Sequence, residues 1–178
     1  LGALGLAGDA QADRRLHGGP DKALHQFPSE HYVRLAAAFP AIGELLAPGS
    51  IGENIASLGM TEATVCLGDV YRFDAARIQV TQPRRPCGKI DRRYGVDGLA
   101  RYIEKQGCCG WYFRVIEEGT VRAGANLTLL ERQHDAISLA AAMDTRGYGR
   151  MTAVTPKQRA AQAVLVLTGG VGIGLGLF

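Results

Sequence analysis

Alternating apolar and polar positions predict several short strands in the first 130 residues. In 78–81, Ile and Val alternate with Gln and Thr, and in 111–115 Trp, Phe and Val alternate with Tyr and Arg. A period of two is typical of a strand with one buried face. Apolar and β-branched residues between turn residues predict three further strands, at 63–67, 70–73 and 126–130.

Two segments instead carry apolar residues at helical spacing. One follows Ser29, a good capping residue, has apolar positions at 32, 35, 36 and 39, and stops at Pro40. The other is predicted to begin after Asp97 as its cap and to end at Gly107. Short strands with two intervening helices favour a mainly β fold, in which flanking helices surround a twisted or closed β core.

The pattern changes after residue 133, so we predict a domain at 1–133 and a helical tail at 134–178. The tail begins with a helical stripe of apolar positions at 136, 139, 140 and 143, interrupted by two glycines. Its last part, 160–178, carries no charge. That length could just cross a bilayer, which takes about 20 apolar residues.

Composition narrows the classes of function. A chain of 178 residues with 47% hydrophobic content can bury one substantial core. The net charge of +3, without a basic stripe interleaved with aromatic residues, argues against a nucleic-acid partner. Four cysteines without a CxxC pair predict neither a disulfide framework nor a zinc site, and we expect a cytoplasmic location.

One cysteine is the best candidate for chemistry. Cys87 follows a predicted strand and is preceded directly by Pro86. Nearby cations favour a thiolate, the form that binds soft metals and attacks electrophiles. Inert packing is the alternative, and for an isolated cysteine it is the commoner one. The surrounding cations are Arg84, Arg85, Lys89, Arg92 and Arg93.

Two other segments carry candidate ligand contacts. Gly18 and Gly19 would let a ligand approach the backbone, while the Lys22 ammonium would bind a negatively charged group of that ligand. The alternative is a solvated turn that contains His17. Asn54 offers an amide donor and an acceptor, although asparagine is also a common turn residue.

These segments, in this order, resemble a MOSC domain (molybdenum cofactor sulfurase C-terminal domain), in particular the bacterial YiiM-type branch linked to resistance to N-hydroxylaminopurines. The resemblance spans about residues 1 to 132. The matching segments are 5–9, 13–23 with His17-Gly18-Gly19, Gly52-Glu53-Asn54, 59–62, 68–69, 79–89 with Pro86-Cys87, and 110–115.

The resemblance implies a β-barrel-like core that binds molybdenum in its molybdopterin form, with Cys87 as metal ligand and catalytic residue. It also implies an N-hydroxylated small-molecule substrate and electrons from a flavoprotein or haem partner. We expect His17 to supply a proton, as a second catalytic residue. The expected cofactor-binding residues are Gly18, Gly19, Lys22, Asn54, Gln82, Arg84, Arg85 and Lys89.

Three features depart from the family pattern, one of them being Gly88, where many relatives carry an aromatic residue after the cysteine. The family has an opening strand region before the equivalent of Leu1, which we expect this chain to lack. Residues 138–150 resemble the transmembrane component of energy-coupling factor transporters, where Arg146 would contact an ATPase and 160–178 would contact the membrane. A buried amphipathic helix is the alternative for this tail. For the chain, the alternatives are a cofactor or sulfur carrier without turnover and a truncated or fused membrane-associated protein.

Overall fold

The computed structural model describes residues 1–9 and 18–145. Its regular elements are six strands, four α-helices and short 3-10 helices at Pro20–Lys22 and Pro40–Leu45. The strands are β1 (Leu24–Pro28), β2 (Ile55–Ser57), β3 (Val70–Phe73), β4 (Ala76–Pro83), β5 (Trp111–Glu117) and β6 (Leu127–Glu131). The helices are α1 (Glu30–Ala38), α2 (Lys89–Tyr94), α3 (Leu99–Lys105) and α4 (Leu139–Asp144).

All six strands belong to one sheet, in the order β2-β1-β5-β4-β3-β6. The pair β1–β2 is parallel, and the other described pairs are antiparallel. The sheet curls into a half-barrel with helices beside it, which confirms the predicted mainly β fold with flanking helices. Strand β5 lies between β1 and β4, so it joins the two ends of the sheet.

Two clusters of buried side chains form the core. The first lies on one side of the sheet and includes Trp111 and Phe113 of β5 together with Ile78 of β4. The second packs helices against the other end of the sheet and includes Leu35 of α1 and Ile103 of α3. Each such side chain contributes about 1.5–3 kcal/mol when it is fully buried.

Four of the five predicted strands are confirmed, with small changes at their ends, and the strand predicted at 63–67 is wrong. Residues 61–64 form a turn, and Cys66 pairs only with Ser138, in an isolated bridge. The Cys66 N–H donates to the carboxylate of Asp69 at 2.8 Å, so this segment satisfies its polar groups locally. The sequence analysis also did not predict β1, because all five of its residues are buried and it shows no alternation.

The helix after Ser29 is confirmed, whereas the predicted cap of the second helix is wrong. Gly98, not Asp97, precedes the first residue of α3. The carboxylate of Asp91 accepts hydrogen bonds from the N–H groups of Gly98 (3.0 Å) and Ala100 (2.7 Å). A side chain of α2 therefore satisfies the N–H groups at the start of α3, which a local cap was expected to satisfy.

Helix α4 begins the segment predicted as a tail, and it is docked on the rest of the chain. The Leu139 N–H donates to the carbonyl of Val65 at 2.9 Å, and the Ala140 N–H donates to that of Glu62 at 2.8 Å. Leu139 is buried in the core. The boundary near residue 133 stays a prediction, because Arg146 and 160–178 lie outside the described residues. Within the described ranges, no helix is long and apolar enough to cross a membrane.

Candidate functional site

Tyr112 is the centre of a polar cluster on the face of β5 opposite Trp111 and Phe113. Successive side chains of a strand point to opposite sides, so Tyr112 leaves the apolar core. The ring of His25 lies 5.5 Å from its ring, measured between centroids, and the Lys22 Nζ lies 5.8 Å from the centroid. Tyr112 is nonetheless only 5% exposed. A cation and two rings are therefore packed together in a sheltered position.

Arg84 brings a second cation to this cluster. Its backbone N–H donates to the carbonyl of Gly110 at 3.0 Å, which holds the end of β4 beside the start of β5. Its Nη2 donates to the carbonyl of Ile51 at 3.2 Å, and its guanidinium is close enough to the Tyr112 phenol to oppose the rise in that group's pKa. Arg84 is only 7% exposed, and its Nη1 has no hydrogen-bond partner among the residues described. A buried cationic donor without a partner is costly, so Nη1 is suited to an acceptor from a ligand.

Cys87 lies three residues beyond Arg84, at the start of α2. Its carbonyl accepts the Ile90 N–H at 3.0 Å, and the helix begins two residues after the cysteine, with Gly88 as its cap. All four cysteines fall within the described residues, and Cys87 is the one that is partly exposed. This thiol is therefore accessible to a ligand.

The charges of Arg84 and Cys87 both act on the pKa of the Tyr112 phenol. Burial raises the pKa of Tyr112, the Arg84 guanidinium opposes that change, and a negative charge on Cys87 would raise the pKa further. The balance is upward from the ordinary value of 10.0. Tyr112 is therefore a neutral hydrogen-bonding group near neutral pH.

The loop before β2 is organised by a buried carboxylate. Glu53 accepts hydrogen bonds from the N–H groups of Gly49 (2.6 Å) and Ile51 (3.2 Å), and from the hydroxyl of Tyr32. These bonds orient the loop that supplies the Ile51 carbonyl to Arg84. Glu53 thus fixes the loop that binds Arg84, a role that its sequence motif alone did not indicate.

Asn54 connects β1 to the first described segment. Its Oδ1 accepts the His25 N–H and its Nδ2 donates to the carboxylate of Asp9, both at 2.8 Å. Its backbone N–H also donates to the carbonyl of His25 at 2.8 Å. The structure therefore shows Asn54 positioning protein groups, and its contact with a cofactor stays a prediction.

The diglycine segment places Lys22 beside Tyr112. Gly19 has φ 104°, a conformation that favours glycine, and its carbonyl accepts the Lys22 N–H at 2.9 Å. The carboxylate of Asp21 lies 3.1 Å from the Arg114 guanidinium, and the Asp21 carbonyl accepts from the Thr81 hydroxyl at 2.6 Å. Contacts with both central strands therefore fix this turn.

The predicted site residues divide into three groups. Lys22 and Arg84 lie near Tyr112, a charge on Cys87 acts on its phenol, and Gln82 is its cross-strand partner. Gly18 and Gly19 precede Lys22, and Asn54 reaches the cluster through His25. Arg85 and Lys89 are exposed instead, and Arg85 lies 3.5 Å from Glu104 of α3. His17 lies outside the described residues, so its catalytic role stays a prediction.

Tyr112 itself was missed as a site residue. The alternation of 111–115 placed it on the polar side of a strand, which is the only signal the sequence carried for it. The cluster combines one accessible thiol with two cations rather than several metal ligands. In the described ranges, no group of three or more His, Cys, Asp or Glu side chains could hold a metal ion.

Comparison with known proteins is consistent with this geometry. Residues 13–128 match the family described as MOSC domain. The chain is 43% identical to Protein YiiM of Escherichia coli over 135 residues, which are 76% of this chain and 60% of that protein. It is 34% identical to a protein named Reductase from Gibberella moniliformis, over 74% of this chain and 24% of that protein.

A solved structure shares the fold. The crystal structure of YiiM from Geobacillus stearothermophilus superimposes with a TM-score of 0.68 at 41% sequence identity, covering 72% of this chain and 64% of that chain. The chain thus spans about three fifths of the length of the YiiM proteins compared here.

Proposed function

Because the chain belongs to the MOSC domain family, we propose that it binds a molybdenum-molybdopterin cofactor through Cys87 and reduces N-hydroxylated compounds such as hydroxylaminopurines. The observation that carries this proposal is the partly exposed Cys87 thiol three residues after the buried Arg84, whose Nη1 has no hydrogen-bond partner among the described residues. The relative named Reductase supports the class of reaction.

The residues present fit such a cofactor. A soft thiolate suits a metal whose remaining sulfur ligands come from the cofactor, so one protein ligand suffices. Arg84 has a buried donor without a partner in the described chain, and the Lys22 Nζ lies 5.8 Å from the Tyr112 ring centroid. Guanidinium and ammonium groups are the usual partners of phosphate, which the molybdopterin carries. When bound, the cofactor supplies the two-electron redox chemistry.

The chain's own residues would bind and orient the cofactor. Cys87 would hold the metal, Arg84 and Lys22 would hold the phosphate, and the packing around Tyr112 would exclude water. Reduction of a hydroxylamino group to an amino group consumes two electrons and two protons and releases water. A flavoprotein or haem partner would supply the electrons, and His17 would donate a proton to the departing oxygen.

Metal analysis tests the cofactor. The full chain is produced in cells with an intact cofactor pathway, and molybdenum and pterin fluorescence are measured on the purified protein. We expect Cys87→Ala to lose at least about tenfold in molybdenum, since the single protein ligand is removed. Cys108→Ala is the matched control and should retain the metal. Wild-type protein without molybdenum, or equal loading of Cys87→Ala, would refute the proposal.

Turnover is tested separately. Loaded wild-type protein is given a chemical reductant and a hydroxylaminopurine, and formation of the aminopurine is followed by chromatography. We expect product in proportion to bound molybdenum. Loaded protein that forms none would instead favour a cofactor or sulfur carrier without turnover.

A further inference from the structure

We propose that Tyr112 is a positioning residue that holds the Arg84 guanidinium ready for a phosphate group beside Cys87. This inference deepens the proposed function and rests on the cofactor-binding role given there to Arg84. The phosphate would be that of the pterin cofactor or free inorganic phosphate.

The Arg84 guanidinium is held at two points. A guanidinium is a rigid planar fork, so two contacts on it determine where its remaining N–H groups point. One contact is the bond from Nη2 to the Ile51 carbonyl at 3.2 Å, and the other is the approach of the guanidinium to the Tyr112 phenol. Nη1 is the remaining terminal nitrogen, and no acceptor within the described ranges satisfies it. Tyr112 therefore determines the direction of a donor whose acceptor must come from elsewhere.

The phenol is itself fixed by its surroundings. Its ring packs against His25, with the centroids 5.5 Å apart, and the Lys22 Nζ lies 5.8 Å from its centroid. The backbone carbonyl of Tyr112 accepts the Thr81 hydroxyl at 3.1 Å. A side chain held at its ring and its backbone can hold Arg84 in one orientation.

The charge at the site favours a phosphate over a neutral ligand. Arg84 and Lys22 place two cations around one neutral phenol, and phosphate groups are recognised by such pairs.

Phosphate binding to the full chain tests the role of Tyr112. Cofactor-free protein with tyrosine labelled at the ζ carbon is titrated with inorganic phosphate and followed by nuclear magnetic resonance. We expect the Tyr112 resonance to shift on binding and Tyr112→Phe to weaken phosphate affinity about tenfold, because the guanidinium loses one of its two anchors. Tyr102→Phe is the matched control and should bind as wild type does. Arg84→Lys should also bind more weakly, since an ammonium cannot keep both anchors.

Three results would overturn the inference. They are no phosphate binding by wild type, wild-type affinity in Tyr112→Phe, and a Tyr112 resonance that saturating phosphate leaves unmoved. Circular dichroism shows whether Tyr112→Phe folds. If it does not, the labelled wild-type chain still tests the inference, because the Tyr112 resonance, assigned through the backbone signals of Tyr112, reports on phosphate binding without a substitution. A purely structural role would change unfolding but not this shift.

The same titration separates the two sources of phosphate and the two proposals. Cofactor-loaded protein that no longer binds inorganic phosphate places the cofactor's own phosphate at Arg84; loaded protein that still binds it identifies free phosphate as the ligand. If wild-type protein carries no molybdenum, the proposed function fails, and phosphate binding that depends on Tyr112 would still support this inference.

Discussion

The molecule contains two thiol regions that differ in depth. Cys87 is partly exposed at the end of the segment that follows β4, whereas Cys108 and Cys109 are fully buried, where the carboxylate charge of Glu62 acts on both. Burial, followed by the charge of Glu62, raises the pKa of Cys108 to about 12 and that of Cys109 still higher. The same functional group is thus accessible in one region and held protonated in the other.

The two regions adjoin each other at Gly110. Its carbonyl receives the Arg84 N–H at 3.0 Å on the side of Cys87, and its N–H donates to Glu62 at 2.8 Å on the side of the buried thiols. The difference between the thiols therefore depends on a few local contacts rather than on distance in the fold. Changes to those contacts should alter it in a graded way.

The largest expected effect is on thiol reactivity. Alkylation by iodoacetamide near pH 8 should be at least about a thousandfold faster at Cys87 than at Cys108, because a thiol with a pKa of about 12 is almost entirely protonated there and is also buried. Peptide mass spectrometry after timed labelling measures both rates. In denaturant the rates should become equal, and comparable rates in the folded protein would contradict the comparison.

The same shift fixes a pH dependence of stability. The pKa of Cys108 is raised above its ordinary value of 9.0, so between pH 9 and about 12 the unfolded chain loses this proton and the folded chain keeps it. The contribution of the buried thiol is complete below pH 9 and is lost as the pH rises through that window. Labelling of Cys108 should therefore increase there together with unfolding.

Removal of the buried carboxylate should have the next largest effect. Glu62 is fully buried, lies 2.8 Å from His31 Nε2 and accepts the Gly110 N–H. Glu62→Leu should lower the free energy of unfolding by about 3–5 kcal/mol, because it leaves buried polar partners unsatisfied. Urea unfolding measures the loss.

A surface ion pair provides the control for Glu62. Glu117 lies 2.7 Å from Arg77 and its side chain is more than half exposed. Glu117→Gln should cost less than about 1 kcal/mol. If Glu62→Leu lowered the free energy of unfolding no more than this control does, the bonds of Glu62 to His31 and Gly110 would not stabilise the fold as expected.

The smallest expected effect concerns the glycine that joins the two regions. Gly110 has φ 69°, and a Cβ there would lie 2.2 Å from the carbonyl oxygen of Gln26. Gly110→Ala should lower the free energy of unfolding by about 2–3 kcal/mol through backbone strain and this clash. Thermal and urea unfolding measure it.

Gly88 is the matched control beside the accessible thiol. It has φ −60°, and a Cβ there would meet nothing within 4 Å. Gly88→Ala should stay within about 0.5 kcal/mol of wild type. A loss equal to that of Gly110→Ala would show that the close approach of β1 is not what requires glycine at 110.

Local patterns predicted much of the fold. The period of two at 78–81 and 111–115 identified β4 and β5, because one face of each strand is apolar. The pattern failed for β1, whose residues are all buried, and at 63–67, where Asp69 bonds the backbone of Cys66 in place of a sheet partner. The cap of α3 could not be predicted from adjacent residues either, because Asp91 belongs to α2.

The site shows the same division. The cations around Cys87 can be read directly from the chain, since they are adjacent residues. The meeting of Lys22 and Tyr112 depends on the tertiary structure, because the pairing of β1 with β5 brings together two residues that are 90 positions apart in the chain. The tertiary structure also decided between two neighbouring arginines. Arg84 is buried against Tyr112, while the Arg85 side chain is 81% exposed, because successive side chains in extended backbone point to opposite sides.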